Sequence, residues 1–221
     1  MRIAVVLVCA LLLAACGGGG GHKPAGEAAK PASQVVADAQ QAARSARTVR
    51  VSGSIVQGKD RLSLDLRIAR NARAVGLLRL RGMTVRIIRV GGTVYLKTGA
   101  AFWKGLGARS AAERLQNKWV RVPASSSNLA LVDQLTDLNT LFSNTLRSHG
   151  RLENKGTRSY KGGRVVVVED TGTGGELYVA ASGPPYPLAI VGTKHQGTVD
   201  FGDWNQIVPV VAPKGALDLN G

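Results

Sequence analysis

Between residues 49 and 90, apolar and polar side chains alternate with a period of two, and few folds accommodate that pattern. Val49, Val51 and Ile55 are interleaved with Arg50, Ser52 and Ser54. Leu62, Leu64, Leu66 and Ile68 are interleaved with Ser63, Asp65 and Arg67, and Ala74, Gly76, Leu78 and Leu80 continue against Arg73, Arg79 and Arg81. Successive side chains of a strand point to opposite faces, so each run has one apolar and one wet face. The connections between runs are short, which implies antiparallel hairpins in a meander. Residues 83–90 carry apolar side chains on both faces. Gly91-Gly92 is a turn signal, and residues 93–97 resume as strand.

Helices are expected on either side of this block. Ser33 can cap a helix reaching about residue 47, with Val35, Ala39, Ala42 and Ala46 on one small-residue face. One or two short helices fit 102–115, and 118–123 reads as a brief strand. Leu131, Leu135, Leu138, Phe142 and Leu146 then step at helical intervals, predicting one amphipathic helix to about residue 147. Strands return after Gly150. Residues 165–168 are four valines, read as a strand buried on both faces. Strands follow over 176–181, 187–192 and 198–201, and residues 207–211 are apolar again. Strands, then helices, then strands describe an α+β fold with one mostly antiparallel sheet.

The first residues belong to a different class of signal. Met1-Arg2 precedes an apolar run over 3–13, too short to span a membrane, which takes about 20 apolar residues. A charged start, a short apolar stretch and small residues at its end describe an export signal. The end reads Leu13-Ala14-Ala15-Cys16, which resembles the lipobox of bacterial lipoproteins, in which the cysteine is alkylated with diacylglycerol and becomes the first residue. The alternative is an ordinary secretory signal with Cys16 incidental. The sequence has 2 Cys, Cys9 and Cys16. Cleavage before Cys16 leaves no pair for a disulfide and no thiolate metal site in the processed chain. The expected organisation is a leader over 1–15, a lipidated Cys16 with a Gly/Ala/Pro linker over 16–32, and one domain over 33–221. Such a chain is extracytoplasmic and held on the cell membrane through Cys16, and several acyl chains anchor more firmly than one.

Charge narrows the partners. The formal net charge is +15, and residues 44–89 hold 11 Arg and 1 Lys against Asp60 and Asp65 only. Inside a cell this excess would suggest nucleic acid. Outside it, anionic lipid headgroups or wall polymers are the fitting partners, each basic residue near such a surface contributing about 1 kcal/mol. Arg61, Arg67, Arg79 and Arg81 are the candidate contacts. A generally solvated, arginine-biased surface is the other reading.

Motifs of catalysis and cofactor binding are absent: no phosphate-cradling Gly-Lys-Ser/Thr loop, no Gly-x-Ser-x-Gly elbow and no His-Glu-x-x-His helix. Residues 171–175, Thr-Gly-Thr-Gly-Gly, lie between two strands and read as a hairpin turn. His22, His149 and His195 have no metal or triad spacing, and Asp133 and Asp137 read as a solvated helix face. No enzyme activity, metal or cofactor is expected. A curved sheet facing the amphipathic helix could instead enclose an aliphatic pocket, since apolar burial is non-directional and scales with area. Its candidate lining is Leu64, Leu66, Leu78 and Leu80 from the sheet and Leu135, Leu138 and Phe142 from the helix. A plainly packed core would give the same periodicity.

Two stretches bear on that choice. Residues 91–107, GGTVYLKTGAAFWKGLG, are followed by NKWVRVP at 117–123. Residues 174–192, GGELYVAASGPPYPLAIVG, are followed by VDFGDWNQIVPVVAP at 199–213. In that order they resemble the LppX/LprAFG group of actinobacterial lipoproteins, and more loosely the LolA/LolB-like lipoprotein carriers. The resemblance implies an incomplete, U-shaped antiparallel half-barrel with helices across its concave face. It implies a cavity for the acyl chains of a lipid or glycolipid, carried or presented in the envelope. Tyr95, Trp103, Trp119, Tyr178, Pro187 and Trp204 read as framework. Two other readings stand beside the carrier: a non-enzymatic sensor or interaction module that binds a partner protein, and a binder of anionic wall polymer.

Overall fold

The computed structural model describes residues 26–146, 150–193 and 195–219. The proposed leader, Cys16 and the first part of the linker lie outside them. Two antiparallel meanders make the frame. The first runs β1 (Thr48–Gln57), β2 (Asp60–Ala69), β3 (Arg73–Leu80), β4 (Met83–Val90), β5 (Thr93–Lys97) and β6 (Val120–Pro123). The second runs β7 (Leu152–Tyr160), β8 (Gly163–Asp170), β9 (Gly175–Ala180), β10 (Pro187–Val191) and β11 (Gly197–Gly202). They are joined where β11 pairs antiparallel with β1, Val51 opposite Phe201 and Gly53 opposite Val199. A two-residue strand, β12 (Leu217–Asp218), adds in parallel to β6. The result is one 12-stranded sheet in the order β12-β6-β5-β4-β3-β2-β1-β11-β10-β9-β8-β7. Its two edges do not meet, so it is a curved, open half-barrel, as the resemblance implies, built from the antiparallel sheet that the sequence pattern implies.

Two glycines show how closely the strands approach. At Gly53 (φ 142°) an added Cβ would lie 2.1 Å from the carbonyl oxygen of Thr198, and at Gly76 (φ 157°) 2.1 Å from that of Asp65. Only a residue without a side chain tolerates that approach and that backbone.

The alternation has the expected consequence. Val49, Val51, Leu64, Leu66, Ile68, Leu78, Val85 and Ile87 are buried in the main core on the concave face. The helices close that face. α1 (Ala32–Ser45) begins behind Pro31, so Ser33 lies in its first turn instead of capping it. Its Val35, Val36 and Ala39 pack on Val166, Val168 and Val179. Arg70 donates to the carbonyls of Ala46 and Arg44 and so serves the open end of α1. The Val165–Val168 stretch is buried on both faces, by α1 on one side and by Tyr160, Tyr178 and Ala189 on the other. Two short helices, α2 (Ala100–Gly105) and α3 (Ala112–Leu115), bury Trp103 and Leu115.

The helix expected over 131–147 is corrected. The single amphipathic helix is two, α4 (Ala130–Thr136) and α5 (Leu138–Thr145). The break is Asp137, whose backbone is extended and whose carboxylate accepts from the Thr140 amide as the cap of α5. The residues just ahead of α1 already pack on the sheet. Gly26–Ala29 forms a 3₁₀ turn against β7, Asn154 donates to the carbonyls of Ala28 and Lys30, and Lys30 pairs with Glu27 and Asp38 at 2.5 and 2.6 Å. The apolar stretch 207–211 is irregular and forms no strand. Its side chains Ile207 and Val211 are 96% and 75% exposed.

Candidate ligand groove

Where β1 meets β11, the concave face is not completely filled. A groove of about 370 Å³ runs between the sheet and the α4–α5 pair. Its walls are Val51, Ile55 and Leu64 from β1 and β2, Ile190, Val199 and Phe201 from β10 and β11, and Leu135 and Leu141 from the helices. Ser54 and Gln196 are the polar side chains on its boundary. Gly192, Gln196 and Gly197, at the β10–β11 connection, mark its mouth, beside Ile55, which is 41% exposed. Toward the other end Phe201 is backed by Phe142, ring centroids 5.2 Å apart, and Phe142 by Trp204 at 5.5 Å. Trp204 in turn stacks on Tyr186 at 4.5 Å. Phe201 is thus the ring that closes this end, with the other three stacked behind it.

The chemistry of such a site is that of apolar burial with few polar directions. The volume falls at the small end of the range for ligand sites, about 300–1,000 Å³. Each methylene seated there contributes about 0.8 kcal/mol.

The seven candidate lining residues separate into groups. Leu64 and Leu135 line the groove. Leu66, Leu78, Leu138 and Phe142 are buried in the main core and do not line it, because the strands they occupy or face are met directly by the helices. Leu80, at the end of β3, is half-buried. The lining from β10 and β11 was missed. Their pattern gives inward faces but not their adjacency to β1, which depends on a pairing across more than 140 residues of chain.

The roof is fixed to the sheet by charge. Arg89 points inward from β4 with its side chain 8% exposed. It pairs with Asp133 of α4 at 2.8 Å and donates to Thr136 Oγ1 at 3.0 Å and to the carbonyls of Asp133 and Gly91. Asp133 and Asp137 are therefore not an idle polar face: one holds α4 down, and the other starts α5.

Arg61, Arg67, Arg79 and Arg81 are all exposed. Arg81 binds Asp60 at 2.6 Å, and Arg67 lies 3.9 Å from Asp203. Arg61 donates to Ser54, and Arg79 has no ion-pair partner among the described residues. The Arg81 guanidinium, bonded to Asp60, holds that carboxyl below the usual range. Much of this charge is answered within the fold. His22 and His149 lie outside the described residues, as does Cys16, and His195 sits in the β10–β11 turn with φ 81°.

Solved structures share this architecture. The chain superposes on LprF from Mycobacterium bovis with a TM-score of 0.57 at 18% identity, over 83% of this chain and 97% of that one. It superposes on the lipoprotein LppX from Mycobacterium tuberculosis with a TM-score of 0.51 at 14% identity, over 81% and 99%. The fold is that of LprF and LppX. In this LprF/LppX-like fold the groove lies where the two meanders join, under the helix pair. No protein-family model and no curated protein sequence matches the chain. Among the described residues no helix is long and apolar enough to cross a membrane.

Proposed function

We propose that the chain is an extracytoplasmic lipoprotein, tethered through Cys16, which holds an acyl chain of a lipid or glycolipid in the β1–β11 groove and carries or presents it in the cell envelope. The observation that supports this most is the groove: apolar on both walls, open at the β10–β11 end, and part of an LprF/LppX-like fold. Its volume suits one chain or part of one. The leader pattern ending in Leu13-Ala14-Ala15-Cys16 supports the tether.

The test is mass spectrometry of an organic extract from the purified, non-acylated chain. A stoichiometric co-purified lipid is the expected result. Protein that is free of lipid and takes up no fluorescent fatty acid would end the carrier reading. The small size of the groove favours one second reading, a sensor or interaction module that binds a partner protein. Clean protein that elutes with one stable partner would bring that reading forward.

A further inference from the structure

The end of the half-barrel opposite the groove mouth has a composition of its own. The chain from 203 to 211 crosses this base. The Asn205 amide donates to the Thr48 carbonyl, Thr48 Oγ1 to the Gln206 carbonyl, and Arg73 to the Val210 carbonyl. These contacts place Ile207 and Val211 at the start of β1 and the β2–β3 turn, where they are 96% and 75% exposed. A branched aliphatic side chain almost wholly in water at the end of a fold has no packing role there. Arg44, Arg47, Arg70 and Arg73 surround this strip and are all exposed. Residues 44–49, 70–73 and 204–216 contain no Asp or Glu. The neighbouring carboxylate, Asp203, faces Arg50 and Arg67 at 4.0 and 3.9 Å.

The tether enters at this same end. A methyl group added to Gly26 would lie 3.8 Å from the carbonyl of Ala181, in the β9–β10 turn. Tyr186 of that turn accepts from Asn205 and stacks on Trp204. Ten residue steps separate Gly26 from Cys16, and their fully extended reach is roughly 33–36 Å. The ten residues of β1 span about 33 Å at about 3.3 Å each. An acyl group on Cys16 therefore reaches a bilayer beneath the base with slack to spare, and one at the mouth only with the leash drawn out to its full length.

We infer that the base is a membrane-docking surface for an anionic bilayer, with Ile207 and Val211 entering the headgroup region and Arg44, Arg47, Arg70 and Arg73 facing lipid phosphates. The mouth of the groove then points away from the anchoring membrane, toward whatever delivers or receives the ligand. This orientation rests on the tethered-carrier reading; the surface itself does not.

The sequence from residue 17 onward has no cysteine, so one can be introduced without background. Non-acylated chain beginning at residue 17 is labelled with an environment-sensitive fluorophore at Ile207→Cys or, separately, at Ile55→Cys beside the mouth. It is mixed with phosphatidylglycerol/phosphatidylcholine or pure phosphatidylcholine vesicles. The expected result is a blue shift at 207 with the anionic vesicles and none at 55. In flotation of the unlabelled chain, Arg44→Glu with Arg47→Glu, and separately Ile207→Asp, each lower binding by about tenfold or more, while Arg61→Glu with Arg79→Glu does not. A shift at 55 without one at 207, or base variants that bind like the unmodified chain, overturns the inference. Lipid content is read on the same preparation. Empty protein that still docks base-down overturns the carrier reading alone, and loaded protein that does not dock overturns this one alone.

Discussion

Asp133 and Asp137 are one helical turn apart in sequence and do opposite things. Asp133 compensates a buried guanidinium, so Asp133→Ala leaves Arg89 with neutral acceptors only. The expected loss is about 2–3 kcal/mol, toward the lower end for breaking a buried pair, because Asp133 is itself 43% exposed. Asp137→Ala removes a helix cap, which costs about 1 kcal/mol. Urea unfolding of the two variants should rank them in that order; equal losses would mean that Arg89 is adequately held by carbonyls and Thr136. Neither role was legible in the sequence. Helical spacing shows that two carboxylates share a face, but not that an arginine more than 40 residues earlier turns inward among leucines.

At the level of elements, strands with one apolar face were legible and those without one were not. β7 reads Leu-Glu-Asn-Lys-Gly-Thr-Arg-Ser-Tyr and gives no alternation, because it is an edge strand wet on most positions. What holds its far end is a latch. Tyr160 donates to Asp200 of β11 at 2.6 Å, and Lys161 pairs with the same carboxylate at 2.7 Å, so the β7–β8 turn reaches over the outer face. Burial first, and the hydrogen bond to Asp200 second, push the Tyr160 hydroxyl well above the ordinary tyrosine value; Tyr178 moves the same way through burial and its hydrogen bond to Glu176. A folded-state pKa raised above the unfolded one contributes stability that is complete below about pH 10 and is lost as pH rises through the folded value. Unfolding free energy measured from pH 8 to 11.5 should therefore fall above pH 10. Tyr160→Phe should cost about 1 kcal/mol at neutral pH and shed part of that alkaline fall, leaving the share that belongs to Tyr178. An unchanged alkaline slope would show that the latch does not survive in solution. The helix break at Asp137 escaped the sequence for a related reason: Leu135, Leu138, Phe142 and Leu146 keep helical spacing across it, so periodicity alone cannot see a one-residue interruption.

For the whole molecule the open question is which parts of the concave face are core and which are site, and volume decides it. A side chain enlarged in close-packed core has nowhere to go, so Leu66→Trp should cost about 1–3 kcal/mol and leave bound lipid unchanged. A side chain enlarged against the groove can enter it. Leu135 and Ile190 are only partly buried and stand on opposite walls. Leu135→Trp or Ile190→Trp should lower co-purified lipid or fatty-acid uptake severalfold while shifting the melting temperature little. Gly53→Ala provides the third arm. Its Cβ would collide with the Thr198 carbonyl, and its φ of 142° is strained for any other residue, so a loss of about 1–3 kcal/mol or more is expected. That substitution opens the β1–β11 seam itself, and it should reduce stability and ligand together. If the three classes instead behave alike, each losing stability and none changing ligand, the space between the sheet and the α4–α5 pair is packing imperfection, and the interaction-module reading becomes the better account of this half-barrel.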